Sequence, residues 1–153
     1  MKIQDDVLAG LIEINSRVLD VGCGDGNLLL YLKKNKRIDG RGLEINQKNV
    51  QECLGKGLAV VEGDAEKDLI NYPNRSFDIA VLNQAIQQFY EPRRVLNELL
   101  RIAHKAIITI PNFGYWKVRL NLLLTGTMPV TKTLPHSWYC LLYTSPSPRD
   151  RNV

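Results

Sequence analysis

The sequence lacks a cysteine framework: Cys23, Cys53 and Cys140 are the only cysteines in 153 residues. Neither C-x-x-C nor a cysteine–histidine metal spacing occurs, so a disulfide scaffold and a zinc site are both excluded as organising principles. Histidine is scarce too, with His104 and His136 alone. No apolar run reaches the ~20 residues of a membrane span, and the N-terminal residues Met1 to Asp6 carry acids where a signal peptide would need an apolar core. Charge of one sign is also missing: the net value of +4 is spread through both signs, and no basic cluster with interleaved aromatics marks a nucleic-acid face. What remains is an ordinary single-domain composition, 44% hydrophobic and 24% charged, expected to be cytoplasmic, with no metal, no membrane contact and no nucleic-acid partner.

Against that background one stretch stands out. Val18-Leu19-Asp20-Val21 is a short apolar strand, Gly22-Cys23-Gly24-Asp25-Gly26 places glycine at every second position, and Asn27 to Leu32 has the look of a helix. Strand, glycine turn and helix form a nucleotide-type loop, because a turn without Cβ atoms lets a ligand reach the backbone. A dinucleotide fingerprint spaces its glycines G-x-G-x-x-G. Here the third glycine comes one residue early, which favours a ligand with no pyrophosphate, S-adenosyl-L-methionine being the commonest.

The rest of the chain alternates strand and helix. Val7 to Ile14 reads as an amphipathic helix, Arg17 to Val21 as strand one, and Asn27 to about Asn35 as a helix. Ile38 to Ile45 reads as strand two, with Gly40 and Gly42 allowing close packing. Asn46 is placed to cap a helix over Gln47 to Leu54, and Leu58 to Glu62 is strand three. A helical turn covers Asp68 to Asn71. Phe77 to Leu82 is an almost wholly apolar central strand, Asn83 to Tyr90 a glutamine-rich connection, and Pro92 opens a helix to Ile102. Ala106 to Ile110 is strand five and Tyr115 to Leu124 a further helix. Such alternation gives an α/β fold with a doubly wound parallel sheet.

In such a sheet ligands sit at the carboxyl ends of the strands. Asp20, Gly22, Cys23, Gly24 and Gly26 fall at the end of strand one. Glu44 ends strand two, twenty residues after Gly24, where a carboxylate can accept from both ribose hydroxyls. Asp64 follows strand three, placed for an adenine amino group, with the Ala65 N–H beside it. Asn83 and Gln84 end strand four, facing the amino-acid part or a substrate. Each has a plainer reading: Glu44 as a solvated acid, Asp64 as an N-cap, the glutamines as a polar helix face, Cys23 as a backbone contributor only. Neither histidine lies at a strand end, and Asn83 and Gln84 cannot take a proton, so no general base is visible and the catalytic residues are unassigned.

The runs VLDVGCGDG (18–26), DGRGLEI (39–45), GDAEKDL (63–69), FDIAVLNQAIQ (77–87), EPRRVLNELLRI (91–102), IPNFGYWKVRLNLLLTGTMPVTKTLP (110–135) and SWY (137–139) resemble the class I S-adenosylmethionine-dependent methyltransferases, and more closely the MetW family of methionine biosynthesis. The run after strand five discriminates, because general methyltransferases do not share it. The resemblance implies a Rossmann-like sheet and an adenosylmethionine pocket that includes Asp20, Gly22, Gly24, Glu44 and Asp64. It also implies a place beside the homoserine O-acyltransferase MetX, either as a methyltransferase for a small molecule or as an accessory subunit. Family members continue into closing strands, so residues 1–139 read as a C-terminally incomplete domain. Residues 140–153 resemble a translated sequencing-library adapter and read as a non-native tail.

Overall fold

Strand β1 (Arg17–Val21) is buried from its second residue onward, as a strand must be when helices cover both faces of its sheet. A computed structural model describes residues 3–110 together with Leu123 and Leu124. The elements run α1 (Ile3–Gly10), β1, α2 (Asn27–Lys36), β2 (Asp39–Glu44), α3 (Gln47–Gly55), β3 (Ala59–Glu62), α4 (Ala65–Asp68), β4 (Phe77–Asn83), α5 (Pro92–Ile102) and β5 (Ala103–Thr109), with single 3-10 turns at Leu69–Asn71 and Ile86–Gln88. All strand pairings are parallel and the order is β3-β2-β1-β4-β5. The chain winds outward from β1 to β3, then returns to lay β4 on the other side of β1. That reversal puts the crevice at the carboxyl ends of β1 and β4.

The period-2 alternation of the strands divides the core in two. Val18, Ile79 and Val81 point to one face, where they meet Leu8, Leu29 and Leu32 from the helices. Leu19, Val21, Ala80 and Leu82 point to the other, against Leu69, Val95, Leu99 and Ile102. Each fully buried leucine of this kind contributes roughly 1.5–3 kcal/mol. Gly40 and Gly42 do allow close packing: a Cβ on Gly42 would lie 2.6 Å from Cys23 Sγ and 2.9 Å from Val60.

Several boundaries differ from the sequence expectation, each for a physical reason. Helix α1 spans Ile3–Gly10 rather than 7–14. Its end tightens through Leu11 N–H to Leu8 O and Ile12 N–H to Ala9 O, Ile12 is buried, and the chain turns through Asn15 at φ 60° to enter β1. Strand β5 starts at Ala103, not Ala106, because Ala103 already pairs with Phe77 of β4; the exposed His104 and Lys105 hide the strand pattern. The helical turn expected over Asp68 to Asn71 begins earlier, as α4 from Ala65, because Asp64 caps it, and continues as the 3-10 turn Leu69–Asn71. The helix over 115–124 and the tail at 140–153 lie outside the described residues, but for Leu123 and Leu124. Among the described residues no helix is long and apolar enough to cross a membrane, and no cluster of three His, Cys, Asp or Glu side chains is arranged to hold a metal.

Candidate functional site

The three loop glycines all take positive φ, at 70°, 56° and 74° for Gly22, Gly24 and Gly26, a conformation that costs other residues roughly 1–2 kcal/mol. Their surroundings separate them. A Cβ on Gly26 would strike Leu58 at 2.6 Å and Cys53 Sγ at 2.7 Å, and one on Gly22 would press on Ala85 at 3.3 Å. A Cβ on Gly24 would meet nothing within 4 Å. The buried Gly26 therefore serves packing; Gly22, itself exposed, is crowded on one side by Ala85, and Gly24 has open space where a Cβ would lie.

Glu44, at the end of β2 and only 6% exposed, is bound into this loop. Its Oε2 accepts from the Gly24 N–H at 2.7 Å and its Oε1 from the Asn46 N–H at 2.8 Å. The carboxylate so fixes the loop to β2 and still has lone pairs to offer a ligand. Asn46 caps α3 through the Lys48 and Asn49 amides. From α3, Cys53 Sγ donates to Gly24 O at 3.3 Å. Just beyond it, Lys56 Nζ donates to Asp25 O at 2.6 Å and to Asn27 Oδ1 at 3.0 Å. The loop is thus held from β2 and from α3, through contacts that no local motif announces.

Asp20 is 1% exposed, and its Oδ1 is buried with no hydrogen-bond partner among the described residues. Burial first, and then the charge of Glu44, push its carboxyl up to about 8. Cys23 is buried, its thiol driven well above the usual range mainly by burial, with Asp20 next. A thiol held protonated in this way is not a nucleophile; its sulfur fills the space over Gly42.

At the end of β3, Asp64 caps α4: its Oδ1 accepts from Glu66 N–H at 3.0 Å and its Oδ2 pairs with Lys67 at 2.8 Å. The Lys67 contact leads in holding its carboxyl below the usual value. The capping reading of Asp64 is therefore realised, and Ala65 begins the helix that it caps. At the end of β4, Asn83 Oδ1 accepts from Thr109 Oγ1 at 2.6 Å, and Thr109 Oγ1 accepts from Gln84 N–H at 3.0 Å. Gln87, 5% exposed, donates to Gln84 O at 2.6 Å, while its Oε1 is buried without a partner. Sequence reasoning missed Thr109, Cys53 and Lys56, whose roles depend on neighbours 25 to 31 residues away; it named Gln87 only as a polar helix face. Asp20, Glu44 and the loop gather at one place, whereas Asp64 and Asn83 stand at the ends of the flanking strands β3 and β4, their side-chain acceptors already engaged.

A five-stranded parallel sheet with a glycine loop at its switch point is the arrangement of class I methyltransferases. An S-adenosylmethionine-dependent methyltransferase from Archaeoglobus fulgidus superposes with a TM-score of 0.64 at 24% identity, over 84% of this chain and 64% of that one. Another from Aquifex aeolicus gives 0.58 at 25% identity, over 81% and 79%. Within that class the chain belongs to the family of the methionine biosynthesis protein MetW, which matches over residues 4–143. The bifunctional methionine biosynthesis protein MetXA/MetW of Rhodopirellula baltica is 30% identical over 137 residues, 84% of this chain and 22% of that protein. The chain spans 22% to 32% of the length of the curated relatives it matches.

Proposed function

We propose that this protein binds S-adenosyl-L-methionine at the carboxyl ends of β1 and β2, in the service of methionine biosynthesis. The observation that carries the reading is Glu44: a buried carboxylate locked to the amide of Gly24, the loop glycine with open space where a Cβ would lie. In this reading Gly22, Cys23, Gly24 and Gly26 supply the backbone cradle and Glu44 receives the ribose hydroxyls. Asp20 lies beneath the charged end of the ligand, and Asp64, Ala65 and Asn83 border the adenine and methionine ends. The donor set fits. Gly24 leaves room for close approach, and the buried Asp20 carboxyl has an oxygen that no donor among the described residues fills. Its measurement is calorimetric titration with S-adenosylmethionine, in which Glu44→Ala is expected to weaken binding by tenfold or more.

When bound, the ligand supplies a sulfonium methyl that an aligned nucleophile can remove, a step for which positioning provides much of the barrier reduction. The chain's part is to hold and orient. Methyl transfer to a small molecule is the first use of such a pocket. Its test is transfer of label from S-adenosylmethionine to components of a cell extract. The second use, an accessory subunit of the homoserine O-acyltransferase MetX, is favoured by the homologue whose name joins MetXA and MetW in one chain. The amide-lined end of β4, where Asn83, Gln84 and Gln87 offer no proton acceptor, also favours it. Co-purification with MetX and a changed acyltransferase rate support that reading; no complex at micromolar concentration excludes it.

A further inference from the structure

Buried carboxyl groups are ordinarily paired or hydrogen-bonded, whereas Asp20 Oδ1 is sealed from solvent with no donor among the described residues. The groups that face it come from each packed element. From β2 there is the Glu44 carboxylate and, directly opposite, Gly42; from β4 there is Val81, with no ionisable neighbour on that strand's buried stretch. The loop contributes the Cys23 thiol, held protonated mainly by burial, and on that face of the sheet α1, α2 and α3 bring Leu8, Leu29 and Cys53 to the core. Among the described residues no basic side chain counters it. Glu44, by contrast, has both oxygens satisfied by backbone amides. Of two neighbouring carboxyls, one is solvated by the protein and the other is not.

We propose that Asp20 is a proton-exchanging counter-charge: it carries a proton in the ligand-free protein and yields it to solvent when a sulfonium ligand brings positive charge to the glycine loop. The inference rests on the pocket reading above and deepens it, making Asp20 the residue that reads the charge of the ligand. The O–H bond of the Asp20 carboxyl breaks, the proton passes to the buffer, and the carboxylate left behind is balanced by the sulfonium. The upward displacement of its titration by burial and by Glu44 agrees with this. Two consequences follow. Affinity for the sulfonium ligand rises with pH by up to about tenfold per unit below the titration of Asp20. The uncharged thioether counterpart, S-adenosylhomocysteine, displaces less of the proton.

Two measurements on the full 153-residue chain test this. In a carbon-13 titration of aspartate side chains, the resonance lost in Asp20→Asn is expected to titrate near neutral pH, well above the exposed aspartates. Titration alongside those aspartates overturns the proposal without any ligand. In calorimetry with S-adenosylmethionine across buffers of different ionisation enthalpy, proton release is expected. It should be smaller with S-adenosylhomocysteine and absent in Asp20→Asn. Equal release for both ligands, or release that persists in Asp20→Asn, overturns the proposal while leaving the pocket reading intact. Failure of either ligand to bind overturns the pocket reading instead, and the carbon-13 titration then decides the protonation of Asp20 by itself.

Discussion

The carboxyl end of β1 and β2 and the carboxyl end of β4 lie side by side in this sheet, yet they are built differently. At the first, Glu44, Cys53 and Lys56 converge from β2 and from α3 and its C-terminal flank to fix a five-residue loop, and one glycine is left facing open space. At the second, Asn83, Thr109, Gln84 and Gln87 bond among themselves, with amides and a hydroxyl and no titratable group. Preorganisation of the first suits binding a ligand whose geometry is fixed in advance. The neutral, self-bonded second end offers no acid or base. Holding a cofactor and using it are thus separable properties, assigned to different strands.

The largest effect is expected from breaking the packing of the first end. Gly26→Val forces a Cβ onto Leu58 and Cys53 at a left-handed backbone position and should cost about 3 kcal/mol or more, read from the midpoint of a urea melt. Glu44→Ala removes the acceptor for two backbone amides and should cost roughly 2 kcal/mol. Faster hydrogen exchange at Gly24 would separate loosening of the loop from global unfolding.

Asp20→Asn sharpens the comparison through pH. The folded-state titration of Asp20 lies near 8, above the ordinary 3.8, so its contribution to stability is fully present below pH 3.8 and is lost as pH rises through 8. Asn does not titrate, so the melting temperature of the variant should gain on wild type between pH 4 and 8 and run parallel above it. The smallest effect belongs to the second end. Thr109→Val deletes one side-chain hydroxyl while Gln84 N–H keeps Thr109 O at 3.1 Å, a cost of about 1 kcal/mol in a urea melt.

Legibility in the sequence followed the range of the interaction. The β1–loop–α2 unit was readable because strand, glycines and helix are contiguous, and Asn46 was readable as a cap for the same reason. Glu44 was found by its offset from Gly24, but its bond to the Gly24 amide requires β1 and β2 to lie in register, which no local signal carries. The three glycines looked equivalent as letters. Only the positions of Leu58, Cys53 and Ala85 distinguish the buried Gly26 and the crowded Gly22 from Gly24, over which space is open. Both readings of Asp64 were open in the sequence, and Glu66 and Lys67 show the capping one realised. The early start of β5 was hidden because the exposed His104 and Lys105 interrupt the apolar run that marks a buried strand.

The central claim is that a ligand is held by the Glu44-locked loop, and it is tested most directly by one calorimetric comparison. Wild-type protein and Glu44→Ala are titrated with S-adenosylmethionine at equal concentration. The account predicts saturable one-to-one binding to wild type, weakened at least tenfold in the variant while its circular dichroism is unchanged. Equal affinity for the two proteins, or no binding to wild type, would contradict it.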